Sequence, residues 1–243
     1  MPPRSLTEPF PAPDFLPDVL ERLRQHYLHQ HYLPSLPAPR RFPEPLDGVV
    51  RVILAQQNTR RVASRQWETL KTVYPQWEAA LADGPDGIEA TLRQAGGGLT
   101  RMKADYLYGV LNALAESRGE LSLRFLHELS DAEIRTTLEN LPGVGMKTTS
   151  LVMLFDLLRP AIPVDSNIER WTKRMELVPA NWNANKVEQW FDQAVPRDWE
   201  TRYALHLSGV HHGQETCKTQ KPHCETCVLR QWCPSAALFL LAE

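Results

Sequence analysis

Helical patterns follow one another along most of this chain of 243 residues. From Asp47 onward, apolar side chains recur at the spacing of an amphipathic helix in one segment after another, including GVVRVILAQ and MKADYLYGVLNALAES. No stretch alternates apolar and polar residues convincingly, as a half-buried strand does. Helices that have no sheet to cover must bury their apolar faces against each other, so the sequence predicts an all-α protein.

Further helices are predicted on both sides of this central run. Pro17 and Asp18 mark the start of the first one, which has an apolar face. The segment 34–45 holds five prolines and is predicted to be an extended linker. Toward the C-terminus, helices are predicted for residues 163–174, 185–195 and 199–211, followed by an apolar tail at 236–241.

Charge and hydropathy exclude several classes of protein. The chain carries 27 Lys and Arg residues against 29 Asp and Glu, so it has no global basic field, although a local basic face is compatible with this balance. No window approaches the ~20 apolar residues that span a membrane, and the proline-rich start lacks the order of a secretory signal. No G-x-x-x-x-G-K nucleotide-binding run is present. We therefore expect a cytoplasmic protein, nucleoid-associated if bacterial, with no membrane partner and no nucleotide cofactor.

A glycine-rich turn joins two of the predicted helices, at residues 131–140 and 148–158. The turn reads Leu-Pro-Gly-Val-Gly-Met-Lys, and Lys147 lies where it becomes the second helix. Gly143 and Gly145 permit a tight turn and leave backbone N–H groups pointing outward at the helix start, where they can hold a phosphate. A plain connection between two helices is the alternative interpretation.

All four cysteines lie close together near the C-terminus, in the pattern C-x6-C-x2-C-x5-C formed by Cys217, Cys224, Cys227 and Cys233. Four thiolates in one short loop suit a tetrahedral metal or an iron–sulfur cluster, and the spacing alone does not separate zinc from iron. Two disulfides are disfavoured by the clustering and by the C-x2-C pair. Lys218 and Lys221 lie between the first two cysteines, where they either meet a phosphate backbone or are simply solvated.

Four segments together give the chain a resemblance to the endonuclease III family of DNA glycosylases, within the helix-hairpin-helix superfamily. They are Leu54-Ala-Gln-Gln-Asn-Thr59, Leu141-Pro-Gly-Val-Gly-Met-Lys147, Val164-Asp-Ser-Asn-Ile-Glu-Arg170 and the cysteine loop Cys217–Cys233. Their order and separations resemble the family from about residue 47 to 234.

The resemblance implies a two-lobed fold, with a six-helix barrel at 47–159 that contains the helix-hairpin-helix at 131–158. The second lobe combines residues 1–46 and 160–243. It also implies a [4Fe-4S] cluster on the four cysteines, double-stranded DNA with a damaged base as the partner, and a monomer.

The resemblance assigns roles to individual residues. Asp165 matches the catalytic aspartate, which stabilises positive charge on the sugar as the base departs, although its position alone predicts a helix N-cap. Lys147 matches the nucleophile that attacks C1′, with a plain phosphate contact as the alternative. Gln57 and Leu99 match the residues that fill the gap left by an extruded base. Further DNA contacts are predicted at Gly143, Val144, Gly145, Thr148, Lys218 and Lys221.

Three positions depart from the common family pattern. Arg60 replaces a usual Asp, Met146 replaces an Arg in the turn, and Asn167 stands where His is usual. Asparagine occupies that last position in the adenine-removing branch.

We expect a base-excision-repair glycosylase for oxidised pyrimidines with β-elimination lyase activity. The alternatives are a monofunctional glycosylase of alkylated or mismatched bases, and a DNA-binding or damage-sensing module without catalysis.

Overall fold

A computed structural model describes residues 10–28 and 44–241 of the chain. These residues form helices, turns and loops, and none of them is in a strand, which confirms the all-α prediction. Residues 34–43 of the predicted linker lie outside the described residues, whereas Pro45, its last residue, begins a helix. The described part of the chain contains no helix with the length and apolarity needed to span a membrane.

The described residues form eleven α-helices and three short helical turns. In chain order the α-helices are α1 Leu16–Leu23, α2 Pro45–Ala55, α3 Arg60–Val73, α4 Trp77–Ala95, α5 Thr100–Arg118, α6 Asp131–Glu139, α7 Met146–Phe155, α8 Ser166–Arg174, α9 Ala184–Ala194, α10 Trp199–Glu215 and α11 Pro234–Leu240. A π-helical turn at Arg24–Leu28 continues α1, and 3-10 turns lie at Arg124–Glu128 and Arg230–Trp232.

The chain divides into two compact units. Helices α2 to α7 belong to the unit Pro39–Leu158, and the other unit joins Met1–Ala38 with Arg159–Glu243. Inside the first unit, α4 consists of two helical stretches that meet at a kink, because Gly84 has a non-helical backbone with φ of +73°. Helix α7 begins at Met146, two residues earlier than predicted, and ends at Phe155, before the predicted Leu158.

Side-chain caps fix the starts of several helices. Ser130 and Glu133 form a capping box at α6, and the hydroxyl of Thr59 accepts a hydrogen bond at the start of α3. Such caps supply partners for N–H groups that a helix leaves free at its first turn. The sequence signals for these helix starts are therefore local.

The core of the second unit forms between α1 and the C-terminal helices. Its members are apolar and almost fully buried, and they include Val19, Leu23, Trp171, Phe191 and Leu205. Three of the cysteines pack against this cluster. The N-terminal helix and the cysteine loop therefore share one core.

Candidate active site

The turn between α6 and α7 has a backbone shape that requires glycine at its centre. Gly143 has φ of +74°, and a Cβ there would lie 2.4 Å from ring carbons of Tyr106. The carbonyl of Gly143 accepts a 3.1 Å hydrogen bond from Nε2 of Gln56, which fixes the turn against the end of α2. The glycine predicted for a tight turn is therefore needed for both its φ and its lack of a side chain.

Helix α7 begins without a side-chain cap. Gly145 precedes it in an extended conformation with φ of −98°, and a Cβ at Gly145 would meet nothing within 4 Å. In the described part of the chain, the backbone N–H groups of residues 145–148 donate no hydrogen bond. Free N–H groups beside open space form an anion-binding site at a helix N-terminus. The side chains of Val144 and Thr148 are buried, so these two residues shape the turn from inside.

Lys147 projects from the first turn of α7. The residue is exposed, and its amine makes no hydrogen bond or ion pair with any described residue. Met146, which replaces the usual arginine, is half-buried at the first position of the helix. The amine of Lys147 is thus available to a ligand at the helix start.

Asp165 lies in the other unit, as the N-cap of α8. Its Oδ1 accepts hydrogen bonds of 2.9 Å from the backbone N–H groups of Asn167 and Ile168. Its Oδ2 accepts a 2.7 Å hydrogen bond from Nδ2 of Asn167. The carboxylate remains half-buried rather than enclosed. The geometry confirms the capping role and leaves the carboxylate held in one orientation.

Asn167 is the residue that departs from the usual histidine, and it connects Asp165 to the cysteine loop. Its Oδ1 accepts a 3.0 Å hydrogen bond from Nη2 of Arg170. Arg170 also donates to the carbonyls of Gly213, at 2.6 Å, and Cys217, at 2.7 Å. A Cβ at Gly213 would lie 2.5 Å from Cβ of Asn167, so α10 approaches this site closely only because the residue is glycine. Arg170 was quoted in the motif, but its contacts were not foreseen.

The two predicted gap-filling residues share an uncommon backbone conformation. Gln57 has φ of +53° and Leu99 has φ of +58°, the left-handed region that side chains other than glycine rarely adopt. Both are exposed, Leu99 with 40% of its surface accessible. Arg60, three residues after Gln57, is the first residue of α3 and is exposed as well. Within the unit Pro39–Leu158, the side chains of Gln57 and Leu99 are therefore accessible to a ligand.

The four cysteines line a single pocket, together with Trp171, Arg174 and His212. Burial, together with smaller contributions from charge repulsion by the other three cysteines, raises the pKa of the Cys227 thiol to about 11. Four thiols of this kind need a cationic partner if they are to lose their protons, so their chemistry is that of a donor set for an iron–sulfur cluster or a metal ion. Among residues 10–28 and 44–241, however, no group of three or more His, Cys, Asp or Glu side chains is placed so that it could hold a metal ion.

Arg174 fastens the start of the cysteine loop to α8. Its Nη1 donates to Sγ of Cys217, at 3.3 Å, and to the carbonyl of Lys218, at 2.7 Å. The side chains of Lys218 and Lys221 are exposed, and Lys221 has φ of +48°. The two predicted lysines are therefore accessible, on a loop whose backbone is held by hydrogen bonds from Arg174.

Comparison with known proteins decides the family. The endonuclease III of Bacillus subtilis is 31% identical over 191 residues, which are 78% of this chain and 80% of that protein. This chain belongs to the endonuclease III family of DNA glycosylases. A putative DNA glycosylase of Arabidopsis thaliana is 33% identical over 175 residues, 71% of this chain, and the match spans 58% of that longer protein. No family profile matches the chain.

Solved structures support the same fold. A non-covalent endonuclease III–DNA complex has a TM-score of 0.74 at 23% identity, over 93% of this chain and 96% of that one. Likeness at this level of identity concerns the fold, and it confirms the expected helix-hairpin-helix glycosylase architecture. The endonuclease III family and its two-lobed fold were both predicted from the four motifs.

Proposed function

We propose that this endonuclease III family member is a base-excision-repair glycosylase that removes oxidised pyrimidines from duplex DNA and then cleaves the strand by β-elimination. The carrying observation is Lys147, whose exposed amine has no partner among the described residues and whose backbone is part of the helix start with the free N–H groups of residues 145–148. A phosphate on those N–H groups would place the sugar–phosphate backbone next to the amine.

The proposed reaction uses two side chains. The Asp165 carboxylate stabilises positive charge at C1′ while the glycosidic C1′–N bond breaks and the base leaves with the bonding electrons and takes up a proton. The Lys147 nitrogen, once it has given up a proton to solvent, forms a new C1′–N bond. The C1′–O4′ bond then breaks as a proton passes from the nitrogen to O4′, which gives a protonated Schiff base. Loss of a C2′ proton then breaks the C3′–O bond, so the 3′ phosphate departs and the strand is cut.

We further propose that Cys217, Cys224, Cys227 and Cys233 hold a [4Fe-4S] cluster. Their common pocket and the donation from Arg174 to Sγ of Cys217 support this, since hydrogen bonds to cluster sulfurs are usual in such sites. When bound, such a cluster would cross-link the loop, because all four thiolates would be attached to it. Metal analysis of protein purified without oxygen tests it: iron and sulfide in equal amounts support the cluster, and zinc alone contradicts it.

Double-stranded DNA with a damaged base is the proposed partner, bound by a monomer. The free N–H groups at the start of α7 and the exposed side chains of Lys218, Lys221, Gln57 and Leu99 are its proposed contacts. Each of the two units offers at least one of these contacts. Phosphate neutralisation by the lysines predicts affinity that falls with salt.

Borohydride trapping on duplexes with an oxidised pyrimidine tests the reaction. The wild type should form a covalent adduct, Lys147→Ala should form none, and Lys186→Ala, which removes another exposed lysine, should behave as the wild type. Asp165→Asn should strongly slow base release. An adduct that persists in Lys147→Ala would contradict the assignment of the nucleophile.

A second candidate is a monofunctional glycosylase of alkylated or mismatched bases. It is favoured by Asn167, which stands where the adenine-removing branch has asparagine and which contacts Asp165. It predicts abasic sites without strand cuts, with base release intact in Lys147→Ala. A third candidate, a DNA-binding module without catalysis, predicts no base release from any lesion and no effect of Asp165→Asn. Product analysis on a panel of damaged-base duplexes separates the three.

A further inference from the structure

Two loops of the unit Pro39–Leu158 carry the proposed gap-filling residues. The first, residues 56–59, joins α2 to α3 and presents Gln57, and the second, residues 96–99, joins α4 to α5 and presents Leu99. Each presented residue has a left-handed backbone that only surrounding contacts can maintain. The contacts that maintain these conformations are therefore worth identifying.

Asn58 and Gln66 tie the two loops to each other. Oδ1 of Asn58 accepts a 3.4 Å hydrogen bond from the N–H of Gly98, and its Nδ2 donates at 2.9 Å to Oε1 of Gln66. Nε2 of Gln66 in turn donates at 2.8 Å to the carbonyl of Gly96. Asn58 also donates at 2.9 Å to the carbonyl of Leu54, which anchors it to the end of α2. These two amides thus form a bridge from one loop to the other.

The hydrogen bonds of this bridge are costly to lose because part of it is buried. Gln66 is fully buried, so a lost partner would leave a polar group without water. Gly97 covers both amides, since a Cβ there would lie 2.9 Å from Nε2 of Gln66 and 3.2 Å from Oδ1 of Asn58. Its φ of +106° also requires glycine. Of the three consecutive glycines, Gly96 and Gly98 are hydrogen-bonded to the bridge and Gly97 packs on it.

We propose that Asn58 and Gln66 are positioning residues that hold Gln57 and Leu99 in a fixed relation, so that the two side chains enter a duplex as one wedge. This inference rests on the proposed function, because it concerns how a base is extruded. Two separately mobile side chains would each lose conformational freedom on insertion, whereas residues fixed beforehand lose little. The bridge therefore favours insertion into paired DNA without touching the base.

A double-mutant cycle tests the coupling. Binding is measured to a duplex that carries 2-aminopurine at the target position, whose fluorescence rises on unstacking, and to the same single strand. In the catalytically inactive Asp165→Asn background, Gln57→Ala and Leu99→Ala should show a coupling factor of about five or more in duplex affinity, in the range usual for cooperating residues. In protein that also carries Asn58→Ala, the two effects should become independent.

Three controls separate positioning from a loss of folding. Asn112→Ala removes another asparagine of the same unit, whose Nδ2 donates a 2.9 Å hydrogen bond to Oε1 of Glu116, and should leave the coupling intact. Asn58→Asp keeps the acceptor for Gly98 and loses both donors, so it should weaken the coupling partly. Affinity for the single strand should stay at the wild-type level in both Asn58 variants, whereas general misfolding would lower it.

The outcomes distinguish this inference from the proposed function. Coupling that survives Asn58→Ala, or that is absent from the parent protein, overturns the bridge even if the enzyme releases damaged bases. Coupling that depends on Asn58 supports the bridge because fluorescence and binding do not require the chemical step. Absence of base release and of trapping in otherwise unmodified protein counts against the proposed function alone.

Discussion

Of the three residues that depart from the family pattern, Asn167 lies closest to Asp165, the candidate carboxylate. Its amide donates to Oδ2 of Asp165 and accepts from Arg170, so it holds the carboxylate on the side away from the capping N–H groups. A hydrogen bond to a charged group is worth roughly 1.5–3 kcal/mol. Asn167 therefore contributes to how the carboxylate of Asp165 is held.

We expect Asn167→Ala to slow base release about tenfold or more, because the carboxylate loses one fixed donor. Asn167→Asp should be slower still, since a second carboxylate would face the first. Single-turnover base release at saturating enzyme measures both. Asn183→Ala, which removes the cap of α9 in the same unit, is the matched control and should leave the rate unchanged. A wild-type rate in Asn167→Ala would refute the role.

Lys103 gives a prediction for the dependence of stability on pH. The residue is fully buried, its Nζ donates at 2.8 Å to the carbonyl of Leu54, and burial lowers its pKa. Between that lowered value and about 10.4, the unfolded chain binds more protons than the folded one, so this residue makes stability rise with pH. Below the lowered value its contribution does not change with pH.

Denaturant unfolding of the wild type and Lys103→Met across the alkaline range should reveal this contribution. The free energy of unfolding of the wild type relative to the variant should increase with pH and then level off. Other titrating groups are common to both proteins and cancel in the difference. Parallel curves would show that Lys103 titrates alike in the folded and unfolded states.

At the scale of elements, the helix-hairpin-helix contains two glycines with different requirements. Gly143 has a positive φ and faces the ring of Tyr106, whereas Gly145 has φ of −98° and faces open space. Gly143→Ala should lower the free energy of unfolding by about 1–3 kcal/mol. Gly145→Ala should leave stability within about 0.5 kcal/mol and yet weaken DNA binding, because a methyl group would occupy the space beside the free N–H groups.

Thermal unfolding and DNA titration of the two variants measure these effects separately. A Gly145→Ala protein that binds DNA as the wild type does would show that no phosphate approaches the helix start. A Gly143→Ala protein of unchanged stability would contradict the contact with Tyr106. Both variants replace a glycine of the same turn with alanine, so each is the control for the other.

This hairpin also shows what local sequence can predict. Both helices and the turn were predicted, because glycines and apolar spacing are local signals, and the capping box at Ser130 and Glu133 is a further local signal that the prediction did not use. The boundaries of α7 were wrong by two or three residues, since its start depends on how Gly145 extends the chain and its end on the tertiary surroundings of Leu158, which has φ of +53°. The bridge of Asn58 and Gln66 gave no local signal, because its partners at Gly96 and Gly98 lie at least 30 residues away in sequence.

For the whole molecule, the division into two units determines what loss of the proposed iron–sulfur cluster can affect. Three of the four cysteines pack on the core that α1 shares with α8 to α10, and none of the four belongs to the unit Pro39–Leu158. Arg170 and Arg174 connect their loop to α8, the helix that Asp165 caps. Disturbance of the loop should therefore reach Asp165 and α1 before it reaches the hairpin that carries Lys147.

Removal of iron by a chelator, followed by amide hydrogen exchange, tests this order. We expect exchange to accelerate first in the loop, in α8 and in α1, whereas α2 to α7 should keep their protection, because a bound ligand stabilises only the cooperative unit that holds it. Lys218→Ala with Lys221→Ala is the control: it should reduce DNA affinity while exchange stays at the level of the metal-loaded wild type. Equal acceleration in both units would mean that they unfold as one, and that Lys147 depends on the cysteine loop as strongly as Asp165 does.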